Sequence, residues 1–288
     1  MLSDMTDQTA GAIPEEGQLT GCVAVVTGGG RGLGRDVARR LAADGADVAV
    51  AARSGDELTE TVRRIVDAGG RATAYTVDVS DSGAVDQMMA LVERDIGPVD
   101  LLVNNASVIQ PLGPVWDVAP EEWWRLLEIN LFGTFLCARA VLARMTERGQ
   151  GRIVNVASGT GIQSPPYMSA YVASKAAVIR LSEELAAETV DHGIAVFAID
   201  PGWMSTAMTA YLAESDQGRR WAPLAPSIFG TDAHVPTSRG ADLVAALATG
   251  RADNLTGRYI TVWDDLDVLV RQVDESPDDD LLRVRLRK

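Results

Sequence analysis

Short apolar runs recur along the chain at Val23 to Val26, Val48 to Ala51, Ala74 to Val77, Leu101 to Val103, Ile153 to Val156, Ala195 to Ile199 and Tyr259 to Val262, with helical stretches between them. Strands that are apolar on both faces suit a sheet covered on both sides, and strands alternating with helices build βαβ units. The pattern therefore predicts an α/β protein: a doubly wound parallel sheet in a three-layer αβα arrangement. Ala207 to Pro236 breaks this rhythm, with no clean periodicity and with Pro223, Pro226 and Pro236 inside it. A segment of that length in a compact domain is more often a lid over a site than an idle connection. Met204, Met208, Tyr211, Trp221 and Phe229 suit either an apolar substrate wall or the lid's own small core, and the two readings weigh equally.

Beyond the last apolar run, Asp264 or Asp265 is placed to cap a short helix whose Leu266, Leu269, Val270 and Val273 form one apolar stripe. After Pro277, Leu282, Val284 and Leu286 alternate with Arg283, Arg285 and Arg287, the spacing of an edge strand. The chain is thus expected to divide into a flexible N-terminal arm (1–17), one folded domain (18–262) and a C-terminal extension (263–288). The extension is expected to pack on the same or a neighbouring subunit, near the lid.

With 288 residues, 47% of them hydrophobic, and 27 glycines, the chain can bury one large core. A net charge of −14 weighs against nucleic acid and anionic membranes as partners. Part of the acidity sits in Asp264, Asp265, Asp267, Asp274, Glu275 and Asp278 to Asp280. No apolar run approaches bilayer-crossing length, and Met1 to Gly17 lacks a basic and then apolar leader pattern, so a soluble cytoplasmic protein is expected. Cys22 and Cys137 read as small core residues without disulfide or metal partners, and His192 and His234 lack metal-ligand spacing. No metal site is expected.

The candidate chemistry lies in two places. Val25-Val26-Thr27-Gly28-Gly29-Gly30-Arg31-Gly32-Leu33-Gly34 joins a strand to a helix start. Glycines there turn the chain sharply and let backbone N–H groups approach a pyrophosphate at the helix N-terminus. Such a turn alone is a weak signal, and its place at the first strand of an alternating pattern strengthens it. Farther on, Tyr171 and Lys175 stand four residues apart and share a helix face, with Ser158 upstream. Most pairs of that spacing are ordinary surface pairs. A phenol titrates near ~10, and lowering it by ~3 units takes about 4 kcal/mol of preference for the phenolate, much of which a neighbouring ammonium can supply.

From about Leu19 to Val262 the chain resembles the short-chain dehydrogenase/reductase family of single-domain Rossmann oxidoreductases. The motifs occur in family order: the glycine turn, Asp78-Val79, Asn104-Asn105-Ala106, Asn130, Ser158, Tyr171, Lys175, then Pro201-Gly202 with Thr206. The resemblance implies that Tyr171 is the general acid/base and that Ser158 orients the substrate oxygen. It implies that Lys175 holds the nicotinamide ribose and depresses the tyrosine pKa. Asn130, on the helix containing Leu126 to Ala140, would hold a water linking Lys175 to solvent. Gly28, Gly30, Arg31, Gly32, Leu33 and Gly34 would cradle the cofactor phosphates. Asp78 would meet the adenine edge beside Val79, while Asn105 and Ala106 would line the adenosine. Pro201 and Gly202 would turn the chain over the nicotinamide, with Thr206 on its carboxamide. One departure is Ser107, where the family commonly has glycine. If that position needed a positive φ, serine would be strained there.

The second strand ends Ala51-Ala52-Arg53-Ser54 without a carboxylate until Asp56, and Arg31 lies in the glycine turn. An arginine pair welcomes a 2′-phosphate where an acidic group would hold the ribose hydroxyls, so NADP(H) is expected over NAD(H). The ordinary alternative is that Arg53 pairs with Asp56 on the surface. Gln110, Gln163, Tyr167, Trp203 and Met208 are the candidate substrate contacts, and they suggest a mainly apolar pocket. The expected function is an NADP(H)-dependent short-chain alcohol dehydrogenase or carbonyl reductase acting on a small-molecule alcohol or carbonyl. It would be a homodimer or homotetramer built on the helices carrying Asn130 and Tyr171. The alternative, a catalytically silent NADP(H)-binding regulatory protein, does not need the intact Ser-Asn-Tyr-Lys set. A lyase or epimerase would need a larger substrate region than this chain provides.

Overall fold

In a computed structural model describing residues 18–228, 231, 234–277 and 279–285, the apolar runs form the seven strands of one parallel sheet. The expectations for the arm 1–17 and for Phe229, Asp278, Leu286 and Arg287 fall outside the described residues. The strands are β1 (Val23–Thr27), β2 (Asp47–Ala52), β3 (Arg71–Thr76), β4 (Leu101–Asn104), β5 (Gly151–Val156), β6 (Ile194–Asp200) and β7 (Tyr259–Thr261). Their order is β3-β2-β1-β4-β5-β6-β7, every neighbouring pair parallel. Val25 of β1 pairs with Ala49 on one side and Leu102 on the other, so the chain winds outward in both directions from β1. The strand order reverses there, and in open α/β sheets the carboxyl ends of strands at such a point form the ligand crevice.

β3 begins three residues earlier than its apolar run predicts. It is the outermost strand, and Arg71, Thr73, Ala74 and Thr76 are exposed, so its polar residues hid its start. Helices α1 (Gly32–Ala43), α2 (Gly55–Asp67) and α10 (Thr237–Ala248) share one apolar core with one sheet face. On the other face lie α3 (Ser82–Asp95), α5 (Gly133–Arg148) and α6 (Ser169–Thr189), while α4 (Pro120–Leu127) puts Leu126 into a separate apolar cluster with Tyr171 of α6. A π-turn over Glu128–Phe132 joins α4 to α5. The continuous run 120–148 is, by length and composition, long and apolar enough to cross a bilayer, which overturns the expectation that no such stretch exists. Its apolarity has a local cause: Leu136, Cys137, Ala138, Val141 and Met145 are buried under the sheet. Burial pushes the thiols of Cys22 and Cys137 up to about 12.

The aperiodic segment contains three short helices, α7 (Ala207–Glu214), α8 (Asp216–Trp221) and α9 (Ala225–Ile228). Caps define the first two: Thr206 and Thr209 bond reciprocally at the start of α7, and Ser215 accepts from the Gly218 N–H at 2.9 Å.

The extension packs on its own chain. Asp265 caps α11 (Leu266–Glu275), accepting from the N–H groups of Asp267 and Val268. Leu266, Leu269 and Val273 enter the core shared by α1 and α10. The expected edge strand is absent among the described residues. Leu282 takes a left-handed φ of 58° inside a turn, which breaks the alternation that an extended strand needs. Its carbonyl accepts from the Tyr259 N–H at 2.9 Å, and Arg285 pairs through both terminal nitrogens with Glu183 of α6 at 2.6 and 3.1 Å.

Candidate active site

The glycine turn lies between β1 and α1, where Gly28 adopts φ 64° and Gly32 φ 52°. A Cβ on Gly28 would come within 2.7 Å of Asn105 Nδ2, and one on Gly34 would overlap the Gly28 carbonyl. Asn105 braces this turn from β4's end: its Nδ2 donates to the carbonyls of Thr27 (2.9 Å) and Gly28 (3.3 Å). The N–H groups of Asn105 and Ala106 donate to Thr27 Oγ1 at 3.0 and 3.1 Å. The side chain expected to line an adenosine is thus engaged in shaping the glycine turn. Ser107 is not among the left-handed residues, so no strain attends the serine, and its buried hydroxyl has no hydrogen-bond partner among the described residues.

Asp78 also differs from expectation. Its carboxylate accepts from Ser80 N–H (3.0 Å) and Oγ (2.6 Å), and from Arg125 Nη2 (2.7 Å). Burial alone would raise this carboxyl, but Ser80 and Arg125 together hold it below the usual carboxylate range. Val79 is buried against Gly133, whose added Cβ would sit 2.8 Å from it. At the end of β2, Arg53 is exposed and forms no ion pair with Asp56 or any other described carboxylate. It is Arg31 that is paired with a carboxylate, Glu57, at 3.3 Å. Gly32 faces Thr206, 3.5 Å from where its Cβ would be, and between the glycine turn and α7 lies a cleft of about 570 Å³ lined by Arg31, Gly32, Ser205, Thr206 and Glu214. Backbone donors, a helix N-terminus and an open cleft are the features a dinucleotide pyrophosphate requires.

The hydroxyl, phenol and ammonium meet at the carboxyl ends of β5 and β6. Ser158 caps a 3₁₀ turn, its Oγ accepting from Thr160 N–H (3.3 Å) and Oγ1 (3.1 Å), and it is the hydrogen-bond partner that lowers the Tyr171 pKa. Burial nonetheless dominates and pushes Tyr171 up to about 12. Lys175 Nζ donates to the Val156 carbonyl at 2.7 Å and lies 5.6 Å from the Tyr171 ring centroid. Burial brings Lys175 down to about 8. The expected depression of the phenol by Lys175 is not what these groups show: burial raises Tyr171, Ser158 opposes it, and Lys175 is not among the groups that act on it.

Asn130 sits at the centre of the π-turn, a helix defect that often marks a functional position. Its Oδ1 accepts from the Val108 N–H at 2.8 Å, while Nδ2 donates to the Val108 carbonyl (2.8 Å) and Ser174 Oγ (3.2 Å). Both amide hydrogens are consumed, so the side chain clamps the loop after β4 against α6.

Of the candidate substrate contacts, Trp203 and Met208 join Ile109, Leu112, Met168 and Leu212 in the apolar cluster that contains Tyr171. Tyr167 packs against Trp221 with the rings tilted by 48° and their centroids 4.9 Å apart, and it adopts a left-handed φ of 68°, uncommon for a bulky residue. Gln110 and Gln163 are exposed and stay outside the cluster. Pro201 is buried and Gly202 takes φ 80°, its N–H held by Asp200. Sequence reasoning passed over Asp200 and Tyr259. Asp200 Oδ1 accepts from the Gly202 N–H and Oδ2 from the Tyr259 hydroxyl, both at 3.0 Å. The available signal was a carboxylate ending an otherwise apolar strand, directly before Pro201.

A model of the family described as short chain dehydrogenase matches residues 22–217. The chain belongs to the short-chain dehydrogenase family. Its members include a 3-oxoacyl-(acyl-carrier-protein) reductase from Synechocystis, to which this chain is 34% identical over 248 residues, covering 84% of this chain and 98% of that one. A gluconate 5-dehydrogenase from Burkholderia cenocepacia, solved with NADP and tartrate, superposes with a TM-score of 0.76 at 29% identity, covering 84% of this chain and 94% of that one. An NAD+-bound xylitol dehydrogenase gives a TM-score of 0.77 at 30% identity, covering 84% and 98%. This short-chain dehydrogenase is accordingly an oxidoreductase with the family's Rossmann-type sheet.

Proposed function

We propose that the protein is an NADP(H)-dependent alcohol dehydrogenase or carbonyl reductase that interconverts a secondary alcohol and a carbonyl, with Tyr171 as general acid/base. The observation that carries this reading is the grouping of half-buried Ser158 with buried Tyr171 and Lys175 at the strand ends, beside a glycine turn suited to a dinucleotide. When bound, the nicotinamide supplies or accepts the hydride. The Gly28–Gly34 turn and the α1 N-terminus would hold its phosphates, with Thr206 on the lining of the same cleft. In reduction, Ser158 orients the carbonyl oxygen and the Tyr171 hydroxyl donates its proton to that oxygen as charge develops there. A phenol kept protonated by burial is suited to that step, and Lys175, an ammonium that burial makes a readier proton donor, would replace the proton from within.

NADP(H) is supported by the exposed guanidinium of Arg53 at the end of β2, which pairs with no described carboxylate. Arg31, tied to Glu57, contributes less than its sequence position suggests, and the similar structures include both NAD+ and NADP complexes. The apolar cluster around Tyr171, with Trp203, Met208, Tyr211 and Trp221, favours a predominantly apolar carbonyl substrate over a polyol. Trp124, Phe132 and Phe135 lie exposed along the run 120–148 and give a second copy an apolar face, in keeping with a homodimer or homotetramer. Incubating the purified protein with NADPH and a pool of aldehydes, ketones and quinones tests the reading. NADPH consumption names the substrate, whereas tight NADPH binding without turnover on any of them would favour a silent binding protein.

A further inference from the structure

We propose that Asp200 is a positioning residue for the Tyr171–Lys175 pair, a fixed carboxylate that sets the pH at which the pair gives up its first proton. The inference rests on the reading of Tyr171 and Lys175 as the proton-transfer groups. Asp200 is the last residue of β6, and β5 runs beside it with Val156 opposite Ile199. The Ala157 N–H donates to the Ile199 carbonyl at 2.8 Å, and the Val156 carbonyl accepts from Lys175 Nζ. The carboxylate therefore leaves the end of β6 beside the end of β5, the point that the ammonium reaches from α6.

The carboxylate is held from two sides, by the Gly202 N–H on Oδ1 and the Tyr259 hydroxyl on Oδ2. Tyr259 is itself buried, and a Cβ on Gly159 would lie 2.9 Å from Oδ2. The anion thus rests against the turn that Ser158 opens, and it occupies space that any other residue at position 159 would contest. A negative charge in that place stabilises the ammonium and opposes the phenolate, and Asp200 acts in that sense on both Lys175 and Tyr171. The other titratable neighbours are Tyr259, whose phenol is pushed up by burial and by Asp200, and Asp264, which acts on Tyr259 from beyond β7. Lys175 is the cation of the group. Burial alone would take its charge away nearer neutral pH, and Asp200 opposes this.

Asparagine at position 200 keeps the shape and the acceptor for Gly202 while removing the charge. In Asp200→Asn, the limb of the kcat/KM profile assigned to the pair should move to lower pH by about one unit, as expected for one charge about two strand spacings away, ~10 Å, at an effective dielectric of ~20. Asp200→Glu, which restores the charge, should bring the limb back toward the wild-type position. A readout free of turnover is the ultraviolet tyrosinate titration, taken as the difference between each protein and its Tyr171→Phe counterpart. The Tyr171 transition should move in the same direction. If Asp200→Asn does not fold, Asp200→Ser also accepts from Gly202 and removes the charge. An unmoved limb and an unmoved tyrosinate transition in a folded, charge-free variant would overturn the inference. Wild-type protein without Tyr171-dependent turnover would overturn the oxidoreductase reading instead, and the tyrosinate titration would still decide the role of Asp200.

Discussion

Asn130→Ala should destabilise the protein through the backbone of Val108. The Asn130 amide is buried and satisfies both the N–H and the carbonyl of Val108 at 2.8 Å each. Alanine offers neither a donor nor an acceptor. Two half-buried backbone groups would lose their partners at roughly 1 kcal/mol each, and Ser174 Oγ would lose a donor, so a cost of about 3 kcal/mol is expected. Equilibrium urea unfolding measures it. With a slope of about 3 kcal/mol/M, the midpoint should fall by about 1 M without a change in slope. Hydrogen exchange at the Val108 amide should accelerate well beyond its neighbours. An unchanged midpoint with an unchanged Val108 exchange rate would refute the clamp and leave Asn130 only the proton-relay role that family resemblance implies.

Arg53→Ala should weaken NADPH binding by roughly 10- to 100-fold, the worth of one charge-assisted bond to phosphate, and leave NADH almost unaffected in fluorescence titrations; equal losses for both cofactors would contradict the 2′-phosphate reading. Leu269→Ala on α11 removes a side chain buried in the main core and should cost about 2–5 kcal/mol in thermal or urea unfolding, whereas an extension without a structural role would tolerate it. The Lys175 pKa falls from 10.5 unfolded to about 8 folded, so between those values the unfolded chain binds the extra proton and wild-type stability gains with rising pH. Relative to Lys175→Met, the wild-type midpoint should therefore rise from about pH 8 to about pH 10, and a constant gap would show that the ammonium is not buried at a cost.

The sheet was readable because parallel strands covered on both faces appear as unbroken apolar runs; the start of β3, an edge strand, was misplaced most, by three residues, since Arg71, Thr73, Ala74 and Thr76 face solvent, and that of β5 by two. The capped helix α11 was readable from Asp265 and its stripe, but the alternation of Leu282, Arg283 and Val284 misled, because a left-handed Leu282 turns the chain where alternation implies extension. The helices α7, α8 and α9 are too short for periodicity to emerge, and their starts depended on caps at Thr206 and Ser215 that the sequence reading did not take as such. In the site, Ser158, Tyr171 and Lys175 converge as their order suggested. The roles of Asn105, Asp78 and Asn130 depended on which partners the tertiary fold brought to their side chains, and spacing carries no record of Thr27, Arg125 or Val108 as those partners. Asp200 and Tyr259 were hidden for the same reason, lying far apart in sequence and meeting only through the register of β6 and β7.

The central claim is that Tyr171 moves the proton. Once a substrate is in hand, kcat/KM for NADPH-dependent reduction and the NADPH dissociation constant should be measured for wild type and Tyr171→Phe. The account expects kcat/KM to fall by roughly 10²–10⁴-fold, the usual worth of a positioned acid, with NADPH affinity within a few-fold of wild type. Turnover retained in Tyr171→Phe would contradict it.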